Sequence, residues 1–276
     1  MENTEGRAGC AFAHGLSFYV ETKKHRLLLD LGPSAETLTN AERLGVDLSA
    51  VDTVILSHGH YDHSGGIPAF VKCNDRAVIY MQASAAADYF ADDGETAPVR
   101  YRYIGIDKTI PTLPQTRFVR GDLEIDEELG LFTVKERSHK LPFTNRRLLV
   151  RVGEGYQRDN FGHEQFLVIR QDGKLLLMSG CAHNGILSIL DAFREKYGRA
   201  PDLVVSGFHL MKKTPYAEEE LREIGEIAGE LRKYPTRFIT CHCTGEAAYE
   251  RMKSIMGEQL AYVHSGEELS GIGEIE

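Results

Sequence analysis

The sequence predicts an α/β fold of four layers, αββα, with two mixed sheets facing each other and helices outside. Three observations carry that prediction. Short apolar runs alternate with amphipathic segments along most of the chain. Two stretches echo one another: "VDTVILSHGH" (51–60) and "PDLVVSGFHL" (201–210) each join an aspartate, a short buried strand, a serine and a histidine. Both read as strand-to-loop junctions at the carboxyl edge of a sheet, where open α/β sheets gather their ligands. Finally, no Ser/Gly/Pro-rich tract divides the chain, so residues 1–276 read as a single domain.

The elements follow in order. "GLSFYVE" and "HRLLLDLG" form a strand hairpin that breaks at Gly32-Pro33. "AETLTNAERLG" is a helix stopped at Gly45. "VDTVILSH" is a buried strand, "GIPAFVKC" opens a helix, and "AVIYMQ" is a strand. From about 85 to 120 periodicity fades among Pro98, Pro111 and Pro114, which predicts a helix plus a variable insertion shaped as a lid. Strands resume with "LGLFTVKE" and "RRLLVRV", and "EQFLVIRQDGKLLLMSG" is a hairpin turning at Asp172-Gly173. "GILSILDAFREKYG" places Ile186, Ile189, Leu190, Phe193 and Tyr197 on one helical face. "DLVVSG", the helix "AEEELREIGEIAGELRKY", "RFITCH", a helix from about Glu246 to Met256, and "LAYVHSG" complete the chain.

Composition narrows the function. The net charge of −9 opposes nucleic acid and anionic membranes alike. No apolar stretch approaches the ~20 residues of a membrane span, and the polar start "MENTEGRAGC" does not read as a secretory signal. Five scattered cysteines do not form a disulfide framework, which points to a reducing cytoplasm. The expected partner is a small-molecule substrate; oligomeric state leaves no mark in the sequence.

The densest chemistry lies in "VILSHGHYDHSGGI", where His58, His60, Asp62 and His63 fall within six positions behind a buried strand. Imidazole nitrogen and carboxylate oxygen together suit Zn, with Fe or Mn as alternatives. His58 and His60 alternate by two, so on an extended strand end they point the same way and can grip one ion. Asp62 and His63, round the following turn, can serve a second. A chance His-rich surface turn is the competing explanation, and four donors so close behind a buried strand weigh against it. Further strand ends deliver His183 in "KLLLMSGCAHNGI", His209 in "DLVVSGFHL" and His242 in "FITCHCTG". His242 is the expected second-site ligand, while His209 is expected to ligate or to face substrate. Cys241 and Cys243 flank His242 and, on a strand, would point away from it.

"SHGHYDH" resembles the His-x-His-x-Asp-His signature of the metallo-β-lactamase superfamily. "HGLSFYVE", "SGCAHNGI", "SGFHL" and "HCTG" occur in the order of a subgroup that includes the archaeal 7,8-dihydropterin-6-yl-methyl-4-(β-D-ribofuranosyl)aminobenzene-5'-phosphate synthases and bacterial members of unassigned substrate. The resemblance implies the αββα sandwich with a one- or two-ion site at its edge, and a supporting role for Asp30 in "LLLDLG". It makes Cys181 a candidate ligand, against the alternative of a small buried hydrophobe. It also puts His163 at the position where the superfamily often supplies a histidine, although the subgroup implies an acidic residue there. His14 and His139 are candidate pocket linings. Arg137, Lys140, Arg146, Arg147, Lys212 and Lys213 near the rim can hold a phosphate, though such residues commonly form a solvated charged face.

The expected activity is a metal-dependent hydrolase of a small phosphorylated or ester metabolite. Asp62 is assigned to orient or deprotonate water and His209 to protonate a leaving group. The first alternative is a transferase joining a dihydropterin pyrophosphate to an aminobenzene ribofuranosyl phosphate. The second is a non-catalytic metal-binding module.

Overall fold

In the computed structural model, which describes residues 1–269, two hairpins each seed a run of parallel strands. The first hairpin pairs β1 (Phe18–Glu21) with β2 (Arg26–Leu29). Beside β2 lie β3 (Thr53–Ile55), β4 (Val78–Gln82) and β7 (Thr116–Val119), all parallel. The second hairpin pairs β12 (Phe166–Gln171) with β13 (Lys174–Met178). Beside β13 run β14 (Leu203–Ser206), β15 (Arg237–Thr240) and β16 (Leu260–Tyr262), again parallel. On the other side of β12, β9 (Leu129–Phe132) and β8 (Leu123–Glu124) complete a seven-stranded mixed sheet.

Side-chain alternation along these strands builds the layers. Leu27, Leu29 and Ile55 of the first sheet meet Leu167, Ile169, Leu176, Met178 and Val205 of the second in one apolar core. Leu28, Val54, Ile79 and Met81 point the other way, onto α1 (Glu36–Arg43) and α3 (Ile67–Cys73). Val168, Leu177, Val204 and Phe238 pack on α4 (Ile186–Tyr197), α5 (Glu218–Leu231) and α6 (Glu246–Met256). The remaining helix, α2 (Tyr61–Ser64), is a single turn at the sheet edge. The result is the four-layer αββα sandwich.

The sequence echo has a structural counterpart. β3 and β14 hold the same place, each parallel to the second strand of its hairpin. Their leading aspartates act alike. The Asp52 N–H donates to Arg26 O (2.9 Å), and Asp52 Oδ2 accepts from the Arg26 N–H (2.8 Å). Asp202 repeats the pair on Leu175, at 2.9 and 2.7 Å. Each aspartate therefore pins the start of its strand to the hairpin beside it.

Residues 85–120 depart from expectation. They contain no α-helix, but two 3₁₀ turns, β7, and two strands of a separate four-stranded antiparallel sheet. That sheet has the order β11 (Gly155–Arg158), β10 (Leu148–Val152), β5 (Tyr89–Asp92), β6 (Tyr101–Tyr103). β5 pairs with β10, nearly sixty residues away, so no local periodicity announces it. Leu221, spaced to share one face of α5 with the buried Ile224, Ala228 and Leu231, is instead 37% exposed. The Asp172-Gly173 turn has φ of 52° and 75°, both positive as a two-residue type I′ hairpin demands.

Away from the strand ends, His25 ties the two sheets together. Its Nδ1 meets Asp52 Oδ1 at 2.8 Å and its Nε2 meets Asp126 Oδ2, in the β8–β9 turn, at 2.6 Å. Burial alone would lower its pKa; hydrogen bonds and attraction from both aspartates outweigh this and raise it. A raised folded-state pKa stabilises fully below the unfolded value of about 6.5 and loses that contribution as pH rises through the folded value. Melting temperature measured across that window should fall with pH in the wild type, and the fall should flatten in His25→Gln. An unchanged slope in the variant would contradict the assignment.

Candidate metal centre

Loops at the carboxyl edges of both sheets converge on one buried volume. β3 runs into His58, Gly59 and His60, and α2 then presents Asp62 and His63. The turn after β13 brings Cys181 and His183; those after β14 and β15 bring His209 and His242. One ligand atom each from His58, His60 and His183 lies within 4.8 Å of the others. Asp62 Oδ2 lies 3.6 Å from His63 Nε2 and 3.5 Å from His242 Nε2. Cys181 sits between the two groups, with its Sγ 3.2 Å from His63 Nε2 and close to His58.

The backbone is forced to reach this arrangement. Asp30, Phe161, Ala182, His209 and His242 all have φ between 48° and 61°. A non-glycine residue there costs ~1–3 kcal/mol, and such residues persist where the surroundings over-determine them. Gly65, in the motif's turn, has a helical φ of −63° that any residue adopts. Its role is space: a Cβ there would overlap the Pro33 carbonyl beneath α2.

Ring orientation is set from behind. Asp30 Oδ1 accepts from the Ser57 N–H (2.7 Å) and Oδ2 from the Ser57 hydroxyl (2.7 Å) and His63 Nδ1 (2.6 Å). Because the Ser57 hydroxyl donates to Asp30, it must accept from His58 Nδ1, 2.8 Å away. His183 Nδ1 donates to Asn145 Oδ1 (2.9 Å), whose amide is oriented by its bond to His183 O (2.7 Å). His242 Nδ1 donates to Asn3 Oδ1 at 2.7 Å. Four rings thus spend Nδ1–H on a fixed oxygen and aim Nε2 inward. Facing nitrogens then stand 3.3 Å apart in His58–His183 and 3.2 Å apart in His63–His242. His60 Nε2 and His209 Nδ1 are buried with no partner.

Electrostatics agree. Burial, then the neighbouring histidines, holds His58 and His183 well below the usual imidazole range. Burial and His163 push His60 down to about 3. Burial would lower His63 too, but Asp30 and Asp62 raise it to about 9, so in the metal-free fold this ring carries the proton that balances two buried carboxylates. Burial works against the Asp62 carboxylate, yet His63, His242 and His14 hold its pKa well below the usual range. Neutral inward-facing imidazoles beside anionic oxygen form a donor set that fits one or two divalent cations, and a cation would take the place of the His63 proton.

His163 leaves the donor set. Its Nδ1 accepts from the Gly59 N–H (2.9 Å) and its Nε2 donates to Asp159 (2.9 Å), so both nitrogens are spent. It buttresses the loop between His58 and His60. The neighbouring Glu164 accepts the N–H groups of His183 (2.7 Å) and Asn184 (2.9 Å). The expectation for Cys243 is also corrected. Strand β15 ends at Thr240 and a 3₁₀ turn follows, so Cys243 folds back to within 4.8 Å of Cys181 and His242. Cys241 remains in the inter-sheet core.

His14 lies 3.4 Å from Asp62 Oδ2 with half its side chain exposed, at the mouth of the site. His139 instead pairs with Asp191 on α4. Among the rim cations, Arg147 pairs with Asp93, Lys212 with Glu220, and Arg137 donates to Asn160 O and Asn184 Oδ1. These behave as a charged surface. Asn3, Asn145 and Glu164, the residues that orient His242 and the 183–184 turn, were not anticipated, because a supporting amide or carboxylate remote in sequence carries no local motif.

Asp30 supports both ends of the centre, so Asp30→Asn should weaken zinc retention by ~10–100-fold, the usual cost of losing a partner behind a ligand. Competition with a chromophoric chelator reads this directly, and wild-type retention in a folded variant would contradict it.

Comparison with known proteins places this centre in context. Residues 12–158, just over half of the chain, match the model of the metallo-beta-lactamase superfamily. The chain is 27% identical, over 92% of its length and 88% of the other's, to the 7,8-dihydropterin-6-methyl-4-(beta-D-ribofuranosyl)-aminobenzene-5'-phosphate synthase of Methanocaldococcus jannaschii. It is 26% identical to the uncharacterized protein MJ0448 of the same organism, covering 92% of this chain and 91% of that one. Among solved structures it resembles Tm1679, described as a metal-dependent hydrolase of the beta-lactamase superfamily, with a TM-score of 0.78 and 27% identity over 98% of this chain and 95% of that one. On its sequence, its layers and the donors at its sheet edge, the chain belongs to the metallo-beta-lactamase superfamily.

Proposed function

We propose that this protein is a cytoplasmic metal-dependent hydrolase of a small phosphorylated or ester metabolite, with one or two divalent ions, zinc first, held by His58, His60, Asp62, His63, His183 and His242. The observation that carries this reading is the convergence of inward-facing ring nitrogens: 3.3 Å apart in His58–His183, where both are bare and repel unless a cation lies between them, and 3.2 Å apart in His63–His242, where a cation would replace the His63 proton. A divalent ion supplies Lewis acidity and activates water near neutral pH.

The chain's own groups divide the remaining work. The Asp62 carboxylate stays ionised and its Oδ2 is within reach of the shared centre, so it orients the nucleophile and takes its proton. His209 is only partly buried, and its ring centroid stands 4.1 Å from that of His183, which supports its assignment as the group that protonates a leaving group. His14, at the mouth, is positioned to meet the substrate before it reaches Asp62.

A transferase reading has one specific support: the 27% identity to the synthase, across 88% of that protein. The two chemistries separate in one assay series. Zinc-loaded protein is offered phosphomonoesters, phosphodiesters, carboxylic esters and a dihydropterin pyrophosphate, the last with and without the aminobenzene acceptor. The proposal expects acceptor-independent hydrolysis, lost on chelation and lowered ~100-fold or more in Asp62→Asn. Pyrophosphate release only in the presence of acceptor would establish the transferase, and turnover that survives chelation would overturn both.

A further inference from the structure

Cys243 has no part in the chemistry just described, yet the fold builds a place for it at the centre. His242 at φ 51° turns the chain so that residue 243 points back inward. The backbone N–H of His209 donates to its Sγ at 3.3 Å. Gly207 makes room for that sulfur: a Cβ at 207 would stand 2.5 Å from it. Cys181 and Cys243 are 3% and 4% exposed, and their sulfurs and a ring nitrogen of His242 lie within 4.8 Å of one another.

The plain alternative is a pair of small buried hydrophobes. Cys241 shows what that looks like here, packed in the apolar core between the sheets. Cys181 and Cys243 belong to none of the apolar clusters among the described residues. Their surroundings are His63, His209 and His242. The Cys243 thiol donates to the Cys181 carbonyl at a long 3.5 Å. Nearby, His209 Nδ1 is buried without a partner, in a trio with Cys181 and His183.

We propose that Cys243 supplies a second thiolate donor beside His242, next to Cys181, whose ligation the superfamily resemblance already implies. This rests on the metal-dependent reading above. Each thiol gives up its proton to solvent as its sulfur takes the ion, so charge balances in the bound state. Soft sulfur donors then favour zinc or ferrous iron over manganese or magnesium.

The test uses the whole, metal-free protein reloaded with zinc or cobalt(II). X-ray absorption at the zinc edge of the wild type should show sulfur at about 2.3 Å. Multiplied by the zinc content, it should come to at least two zinc–sulfur bonds per chain, and Cys243→Ser should remove one of them. In the cobalt-loaded protein, Cys243→Ser should lose roughly half of the thiolate-to-cobalt charge-transfer absorption, since one of two soft donors is gone. One zinc–sulfur bond per chain, or a Cys243→Ser spectrum like that of the wild type, would overturn the role of Cys243. Tight metal held with no sulfur would remove both cysteines while leaving the hydrolase reading standing. A wild type that binds neither metal would overturn both proposals. The wild-type measurement does not depend on any variant folding.

Discussion

The buried carboxylate of Asp30 is the interaction on which the rest of the centre depends. It sits at the end of β2, 0% exposed, and binds the Ser57 backbone, the Ser57 hydroxyl and His63 at once. Through Ser57 it fixes the ring of His58, and through His63 it fixes the other end of the motif. A single anion thereby orients one ring from each group of donors. Burying it without compensation would be costly, and the compensation is built in as three hydrogen bonds and a neighbouring imidazolium. The left-handed backbone at Asp30 is part of the same solution, because it lets a residue that has just left a strand turn its side chain back under the next one.

Symmetry explains how so many donors reach one place. Each half of the molecule is a hairpin followed by parallel strands, and each half starts the strand beside its hairpin with an aspartate that clamps the neighbouring strand. Parallel strands send their carboxyl ends in one direction. Stacking two such sheets therefore brings the loops after β3, β13, β14 and β15 to a common rim. Donors that lie far apart in sequence, such as His63 and His242, become neighbours without any long connecting loop. The positive φ values at Ala182, His209 and His242 are what the chain concedes to close the last few ångströms.

What could be read from the sequence was what repeats or clusters locally. The hairpins, the parallel strands and the outer helices announce themselves as apolar runs and helical spacing. The opening motif announces itself because four donors share one turn. The strands β5 and β6 do not, since "YFAD" and "YRY" are short and depend on β10 for pairing. Asn3, Asn145 and Glu164 were invisible for a similar reason. Each acts by accepting one or two hydrogen bonds from a distant loop, and nothing in its own neighbourhood in the sequence marks that task. Cys243 was misplaced because strand alternation was carried three residues past the end of β15, into a turn that reverses its direction.

The central claim is that the facing imidazoles exist to hold ions. Elemental mass spectrometry on anaerobically purified protein tests it most directly, comparing the wild type with His183→Ala and His242→Ala. The account predicts about two ions per chain in the wild type and about one in each variant, since each histidine completes a different group of donors. A wild type with no tightly held metal, or a content that neither substitution lowers, would contradict it.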